Sequence, residues 1–254
     1  MTDVHCHLSS GDPAVREFLI GRDFFGVHPW ETLDRTLDPA AVVADLREKL
    51  AANPQAGVGE IGLDRLKERE ISPLMRAVFE AQLRLALELG RPVVLHGAKC
   101  WGQIVAAVKA AKGEDERHVT RDARFLFHGF SRSDGLIPDI VALGGYISVG
   151  PAVLNDHAVN YRELVKKIPL DRLLLETDRT EQSAAECPPL ADILAKTAEL
   201  RGMSVDDLER QTDANALRLR PVAVRGDLVA RALRESAEVN QPAIIPPPTI
   251  ASPS

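Results

Sequence analysis

Short apolar runs alternate with longer amphipathic stretches from the first residues of the chain. The runs predict strands at Thr2–Val4, Phe24–Val27, Gly57–Glu60, Pro92–Leu95, Arg124–Phe127, Tyr146–Val149 and Leu173–Glu176. Between them, Pro39–Ala52 carries apolar residues at helical spacing, and Trp101–Lys112, Leu136–Leu143 and Asn160–Lys167 are shorter stretches of the same kind. Ser72-Pro73 reads as an N-cap followed by proline at the first helical position, opening a helix that Gly90 stops. Strands alternating with helices imply βαβ units and a parallel sheet. Such a sheet is covered on both faces, which accounts for unbroken apolar runs such as Val93-Val94-Leu95 and Leu173-Leu174-Leu175.

After Asp178 the pattern is helical only. Leu190–Leu200 is one helix, and Ser204-Val205-Asp206-Asp207 has the capping-box spacing that opens another. Residues 221–240 read as a C-terminal surface helix centred on Val222–Val239. The last 14 residues, Gln241–Ser254, hold five of the 17 prolines and no charged side chain, the composition of a disordered tail. The expected architecture is therefore α/β: a TIM-like (β/α)8 barrel over residues 1–220, with C-terminal helices and a Pro-rich tail. Only seven strands are placed. A closed barrel needs an eighth, so some distortion is allowed for.

At 254 residues, one domain accommodates the whole pattern. The hydrophobic share of 45% and charged share of 27% are those of a globular chain, which excludes a disordered one. Lys plus Arg is 31 against 37 for Asp plus Glu, so the net charge of −6 gives no broad basic footprint for nucleic acid. A nucleic-acid partner would have to be held locally, by a metal or a small basic patch. Cys6, Cys100 and Cys187 are odd in number and lack pairable spacing, which argues against a disulfide framework. With no leader-like start and no apolar run of about 18 residues, the expectation is a soluble, cytoplasmic protein without a membrane partner.

The chemistry is marked by where the histidines fall. His28, His96 and His128 each directly follow a strand-like run, and His5 and His7 end the first strand. That edge of a parallel barrel or open α/β sheet is where active sites are built. Residues two apart on a strand face the same way, so His5 and His7 point together and Cys6 points away. Paired imidazoles suit a divalent transition metal such as zinc. Glu60 and Asp178 end strands at the same edge. His5, His7, Glu60, His96, His128 and Asp178 offer four imidazoles and two carboxylates, more than one tetrahedral zinc uses. The set suits two metals bridged by a carboxylate, which activate water and steady a leaving oxygen. The intervals from 28 to 60, 60 to 96 and 96 to 128 are 32, 36 and 32 residues, each about one βα unit.

Seven motifs in order then carry a resemblance: Asp3-Val4-His5-Cys6-His7-Leu8, Gly26-Val27-His28-Pro29-Trp30, Val58-Gly59-Glu60-Ile61-Gly62-Leu63-Asp64, Pro92-Val93-Val94-Leu95-His96, His128-Gly129-Phe130-Ser131, Leu174-Leu175-Glu176-Thr177-Asp178 and Asn215-Ala216-Leu217-Arg218-Leu219. Over residues 1 to 220 the chain resembles the TatD-type metal-dependent hydrolases, within the amidohydrolase-like barrels. The resemblance implies a barrel with one or two divalent ions (Zn, Mg or Mn) held by His5, His7, Glu60, His96, His128 and Asp178. It implies that Glu60 bridges the metals and that Asp178 is also the base acting on the attacking water. It implies a deoxyribonuclease that cuts phosphodiester bonds. The acidic net charge fits a single-stranded DNA end or a small phosphoester better than a duplex. A monomer suffices for such a site, and the sequence leaves the oligomeric state open.

The chain departs from the family pattern around the site. Members often carry a small residue and then Arg after the fourth-strand His, whereas here the run is His96-Gly97-Ala98-Lys99. Members usually have Cys after the fifth-strand His and Gly after Ser, and a small residue and Pro after the Asp. Here the runs are His128-Gly129-Phe130-Ser131-Arg132 and Asp178-Arg179-Thr180. Every metal-ligand candidate survives, so the departures bear on the substrate. Lys99, Arg132 and Arg179 are candidates to hold a phosphate or carboxylate, against surface salt-bridging for the two arginines. His28 either lines the pocket or orients a ligand, and a plain structural role is as common. Asp64 either partners a ligating histidine or caps the turn after Gly62, and Glu176 is a second candidate for such orienting. His118 and His157 read as solvated surface residues. Trp30 and Trp101 could stack on a base, but packing is commoner. Two rival functions remain: hydrolysis of an amide, lactone or aminoacyl ester at the same centre, and a metal- or partner-binding barrel without turnover. Cations converging on the metals would favour a phosphate; cations pointing away would favour a neutral carbonyl.

Overall fold

The computed structural model describes residues 1–114 and 124–219. The expected helix at 221–240, the tail at 241–254 and His118 lie outside the described residues. All described elements belong to one compact unit, Met1–Ala223.

Among the described residues eight strands run in chain order: β1 (Thr2–Cys6), β2 (Arg16–Leu19), β3 (Phe24–Phe25), β4 (Gly57–Asp64), β5 (Val93–Ala98), β6 (Phe125–Phe127), β7 (Gly145–Val149) and β8 (Leu173–Leu175). Strand β1 pairs parallel with β2, and β3 to β8 form one parallel sheet in sequence order. A parallel bridge between Ile20 and Phe24 joins the two sheets. At the other seam the Asp178 N–H donates to the His5 carbonyl at 3.0 Å, and the His7 and Leu8 N–H groups donate to the Arg179 carbonyl at 2.8 and 2.9 Å. The strands therefore follow one another round a TIM-type barrel. Among the described residues no helix is long and apolar enough to cross a membrane.

The strand that sequence reading leaves unplaced is β2. Its residues Arg16-Glu17-Phe18-Leu19 include only one buried side chain, Phe18, so the run carries no clear apolar signal. It also pairs parallel with β1 across only residues 7–15, shorter than the crossover such pairs normally need. Glu17 makes the short link possible by accepting from the Ser9 and Ser10 hydroxyls and the Ser10 N–H at 2.5–2.6 Å.

The helices follow their caps. Asp38 caps α1 (Pro39–Ala52) through the Ala40 N–H, and Ser72 caps α2 (Pro73–Glu88) through the Met75 N–H, both with proline at the first position. α3 (Trp101–Glu114), α4 (Ile137–Ala142) and α5 (Val159–Lys167) complete the crossovers, followed by α6 (Leu190–Arg201) and α7 (Val205–Leu219). The Asp207 N–H bonds to the Ser204 hydroxyl at 3.1 Å, as the capping spacing predicts.

Two apolar clusters follow the alternation of the strands. Val93, Leu95, Phe125, Phe127, Ile147, Val149, Leu173 and Leu175 pack with the helices. Val94, Leu126, Tyr146 and Leu174, one position out of phase, form a second cluster with Ala216 and Leu219 of α7. Asn215 ties α7 to the start of β8 by donating to the Leu170 and Leu173 carbonyls, both at 2.9 Å. The Asn215–Leu219 segment thus closes one end of the barrel. Two residues further along each strand, on the face of that second cluster, stand His96, His128, Ser148 and Glu176.

Candidate metal centre

Strand β4 is buried along its whole length and brings Glu60 to the middle of the barrel mouth. Glu60 lies where the pairing with β5 shifts register, between Val58 and Ile61. The strands approach so closely there that a Cβ at Gly62 would overlap the His96 carbonyl, which explains glycine at that place in Glu60-Ile61-Gly62.

The two oxygens of Glu60 divide the imidazoles between them. Oε2 lies 3.5 Å from His5 Nε2 and 3.3 Å from His7 Nε2. Oε1 lies 2.6 Å from both His96 Nδ1 and His128 Nε2, and 3.5 Å from His28 Nε2. Asp178 closes the first side, with Oδ1 3.4 Å from His5 Nε2 and 3.7 Å from His7 Nε2. Cys6 faces away, its Sγ 3.8 Å from the Phe18 carbonyl. Three groups of ligand atoms gather within 4.8 Å: His5, His7 and Glu60; His5, His128 and Asp178; and His28, Glu60 and His96. A carboxylate with a cluster on each oxygen has the donor set for a bridged pair of divalent cations. Both ring nitrogens of buried His5, and Nδ1 of buried His128, lack a hydrogen-bond partner. Buried polar atoms are rarely left so, and a metal is one thing that satisfies an imidazole nitrogen.

Each imidazole on the Oε1 side has its own support. Asp64 Oδ2 sits 3.0 Å from His96 Nε2, leaving Nδ1 toward Glu60. Asp64, the last residue of β4, also accepts from the N–H groups of Leu66 and Lys67 in the turn that follows. Glu176 Oε1 accepts from the Gly129 N–H at 2.7 Å. Its Oε2 accepts from the Ser148 hydroxyl at 2.6 Å and lies 3.9 Å from His128 Nδ1. His28 caps the turn Pro29–Leu33, its Nδ1 accepting from the Trp30 N–H at 3.1 Å, which leaves Nε2 for Glu60.

The electrostatics follow from burial and charge together. Burial, reinforced by the neighbouring His128, lowers His5 to about 4. His128 goes the other way: burial opposes its charge, but the Glu60 carboxylate outweighs burial and raises it to about 10. Burial likewise opposes ionisation of Glu60, yet His128 and the other imidazoles hold it well below the usual carboxylate range. Burial pushes Glu176 up to about 7. Burial opposes ionisation of Asp178, but the His5 imidazole 3.4 Å away lowers it, and its side chain is 49% exposed at the mouth.

The predicted substrate contacts separate. Arg132 lines a cavity of about 910 Å³ that reaches Asp178 and Glu176 and also contains His157, Asn160 and Lys167. Lys167 is taken up by Asp134 at 2.5 Å. His157 is exposed, as expected of a surface residue, but this cavity is the surface it faces. Arg179 lines a different cavity, with Asp3, Thr177 and Cys187, and contributes its carbonyl to the β8–β1 seam. Lys99 is exposed and lines neither cavity. Lys99, Arg132 and Asp178 are nevertheless the three non-glycine residues with positive φ among the described residues, at 57°, 59° and 50°. All three follow strand ends at this mouth, where unusual backbone tends to gather.

Two positioning residues carry no separate signal in the sequence. Buried Asp3 accepts from the Thr177 N–H and hydroxyl at 3.1 and 2.6 Å, fixing β8 beside β1 and so Asp178 beside His5. Ser148 does the equivalent for Glu176. Both look like ordinary strand residues, although alternation from Tyr146 puts Ser148 on the face of the site.

Comparison with known proteins agrees with this geometry. The model of the TatD related DNase family matches residues 20–220. That stretch begins after β1, which carries His5, and after His7. The "3'-5' ssDNA/RNA exonuclease TatD" of Klebsiella pneumoniae is 32% identical over 214 residues, covering 79% of this chain and 77% of its own. The "uncharacterized metal-dependent hydrolase YabD" of Bacillus subtilis is 28% identical over 208 residues, covering 76% and 75%. Among solved structures, the TatD homologue YJJV of Escherichia coli superposes with a TM-score of 0.62 at 24% identity, covering 84% of this chain and 79% of its own. With the matched stretch spanning β3 to α7, the chain belongs to the TatD-related DNase family and is a metal-dependent hydrolase.

Proposed function

We propose that this protein hydrolyses phosphodiester bonds of single-stranded DNA, with His5, His7, Glu60, His96, His128 and Asp178 holding one or two divalent ions. The observation that carries the reading is the division of Glu60, which offers one oxygen to His5 and His7 and the other to His96 and His128. Divalent ions held there would polarise a phosphoryl oxygen and lower the pKa of bound water toward neutrality. The protein supplies the rest. Asp178, ionised and half-exposed at the edge of the cavity, accepts the proton of the attacking water on its carboxylate. Asp64 fixes the ring of His96, and Arg132 offers a bidentate contact to phosphate oxygens along the cavity. The name of the Klebsiella relative supports nucleic acid as substrate.

One observation favours a second reading. Of the three candidate cations only Arg132 faces the cavity, and Lys99 and Arg179 lie elsewhere. That placement suits a neutral carbonyl substrate (an amide, a lactone or an aminoacyl ester). One assay separates the two. Protein stripped of metal and reloaded with Zn²⁺, Mn²⁺ or Mg²⁺ should cut single-stranded DNA, and Asp178→Asn should not. Folded, metal-loaded protein that leaves DNA intact but opens lactones or amides would replace the first reading by the second.

A further inference from the structure

Trp30 is 45% exposed, unusual for the largest apolar side chain, and it stands beside the metal-centre candidates. Its ring lies edge-on to that of His28, centroids 5.0 Å apart, and His28 Nε2 is 3.5 Å from Glu60. The indole is held in place: Nε1 donates at 2.7 Å to Asp64 Oδ2, the same oxygen that lies 3.0 Å from His96 Nε2. Lys67 places its ammonium 4.5 Å from the ring centroid. Lys67 belongs to the loop after β4, in which Arg65, Lys67 and Arg69 are all exposed. Of the two carboxylates in that loop, Glu68 is held by Arg35 at 2.6 Å. An acidic chain thus carries a small cationic loop beside a fixed, exposed aromatic, on the His28 side of the metal-centre candidates.

We propose that the Trp30 indole is a stacking platform for a nucleobase of single-stranded nucleic acid, with Lys67 meeting the adjoining phosphate. The inference rests on the phosphodiesterase reading above and names where the strand is gripped. A rigid aromatic with a mobile cation is the combination that binds single strands without reading sequence, because every base offers a π face. Lys67, a point charge on a flexible stem, can leave the ring for a phosphate when a base arrives. The indole N–H stays on Asp64, so the platform keeps its place relative to His96.

The test is binding of a fluorescently labelled six-nucleotide DNA to metal-loaded protein carrying Asp178→Asn, so that nothing is cut. Adding Trp30→Ala should weaken binding about tenfold, and Trp30→Phe, which keeps a ring but loses the N–H, should retain most of the affinity. A six-mer abasic throughout has no base to stack, so it should bind equally well with and without the Trp30→Ala substitution. Lys67→Ala should flatten the dependence of log affinity on log salt by about 0.7. Without any substitution at Trp30, the base-bearing strand should quench the emission of exposed Trp30, leaving that of buried Trp101. Unchanged affinity in Trp30→Ala, or equal loss on the abasic strand, would overturn the proposal; equal loss would mean that the indole acts only through Asp64. Protein with Trp30 and Asp178 both intact that neither binds nor cuts single-stranded DNA would instead remove the phosphodiesterase reading itself.

Discussion

Two buried charges sit in the same barrel and are handled in opposite ways. Arg91, 1% exposed, precedes β5 at the end of the strand remote from the metal-centre candidates; Glu60, 3% exposed, lies at their centre. Arg91 is answered by backbone at its terminal nitrogens, while its buried Nε has no hydrogen-bond partner. Its terminal nitrogens donate to the carbonyls of Leu50, Pro54 and Ala56, the first of them in the last turn of α1, where helix carbonyls are left over. Glu60 is answered by side chains alone, and its neighbours His5 and His128 keep buried nitrogens without partners. A charge closed by fixed carbonyls stiffens a junction. A carboxylate ringed by imidazoles with spare nitrogens has the donor set for a divalent cation. On the proposed function, the first arrangement serves stability and the second serves chemistry, and substitutions should separate them.

The largest effect is expected from Glu60→Gln. Metal content, measured by elemental analysis after dialysis, should fall to background, and turnover should drop about 10²–10⁴-fold. The metal-free protein should also melt earlier than its unsubstituted counterpart, because His128, His28 and His5 hold the Glu60 carboxylate charged and the substitution breaks those buried pairs. A large loss of thermal stability without loss of metal would make Glu60 a structural residue and erase the contrast. Arg91→Met should show the reverse. Leaving the Leu50, Pro54 and Ala56 carbonyls unanswered should cost about 3 kcal/mol in denaturant unfolding, while activity per folded molecule stays near its original value.

Asp64→Asn lies between these extremes. Asp64 takes no place in the three ligand groups, but it orients His96 and accepts from Trp30 and the following turn. Metal affinity, measured by competition with a chelator, should fall about 10–100-fold, with residual turnover at saturating metal. Unchanged affinity would show that the turn, rather than His96, is what Asp64 serves.

The difference between the two regions also governs what could be read in the sequence. The Glu60 cluster was legible because strand ends at one edge collect side chains whose chemistry is visible from residue type: His5 and His7 two apart, Glu60 and Asp178 closing apolar runs. Arg91 carries no such mark, since its partners are carbonyls whose availability depends on where α1 stops. The same holds for Asp3, whose role is set by strands brought together from opposite ends of the chain, and for Ser148, whose partner Glu176 stands at the end of the next strand. β2 escaped for a related reason: one buried phenylalanine gives no periodicity, and its short link to β1 works only because Glu17 organises the intervening serines. The cations were legible as residues but not as directions. The backbone is left-handed at Asp178, and the Arg179 side chain joins the cavity of Asp3 and Cys187 while its carbonyl serves the β8–β1 seam.

That last point yields the smallest effect and the finest division of the barrel mouth. Arg132 extends the chemical region along the large cavity, whereas Arg179 belongs to the seam that keeps the barrel closed. Arg132→Ala should therefore raise KM for an oligonucleotide severalfold with kcat nearly unchanged, as expected for a contact made equally in ground and transition states. Arg179→Ala keeps the carbonyl that His7 and Leu8 use, so it should leave KM unaltered, and Lys99→Ala should do the same. If Arg179→Ala instead raised KM as much as Arg132→Ala, the strand would have to reach the second cavity as well. The line between the region that binds substrate and the region that holds the barrel together would then run on the far side of β8.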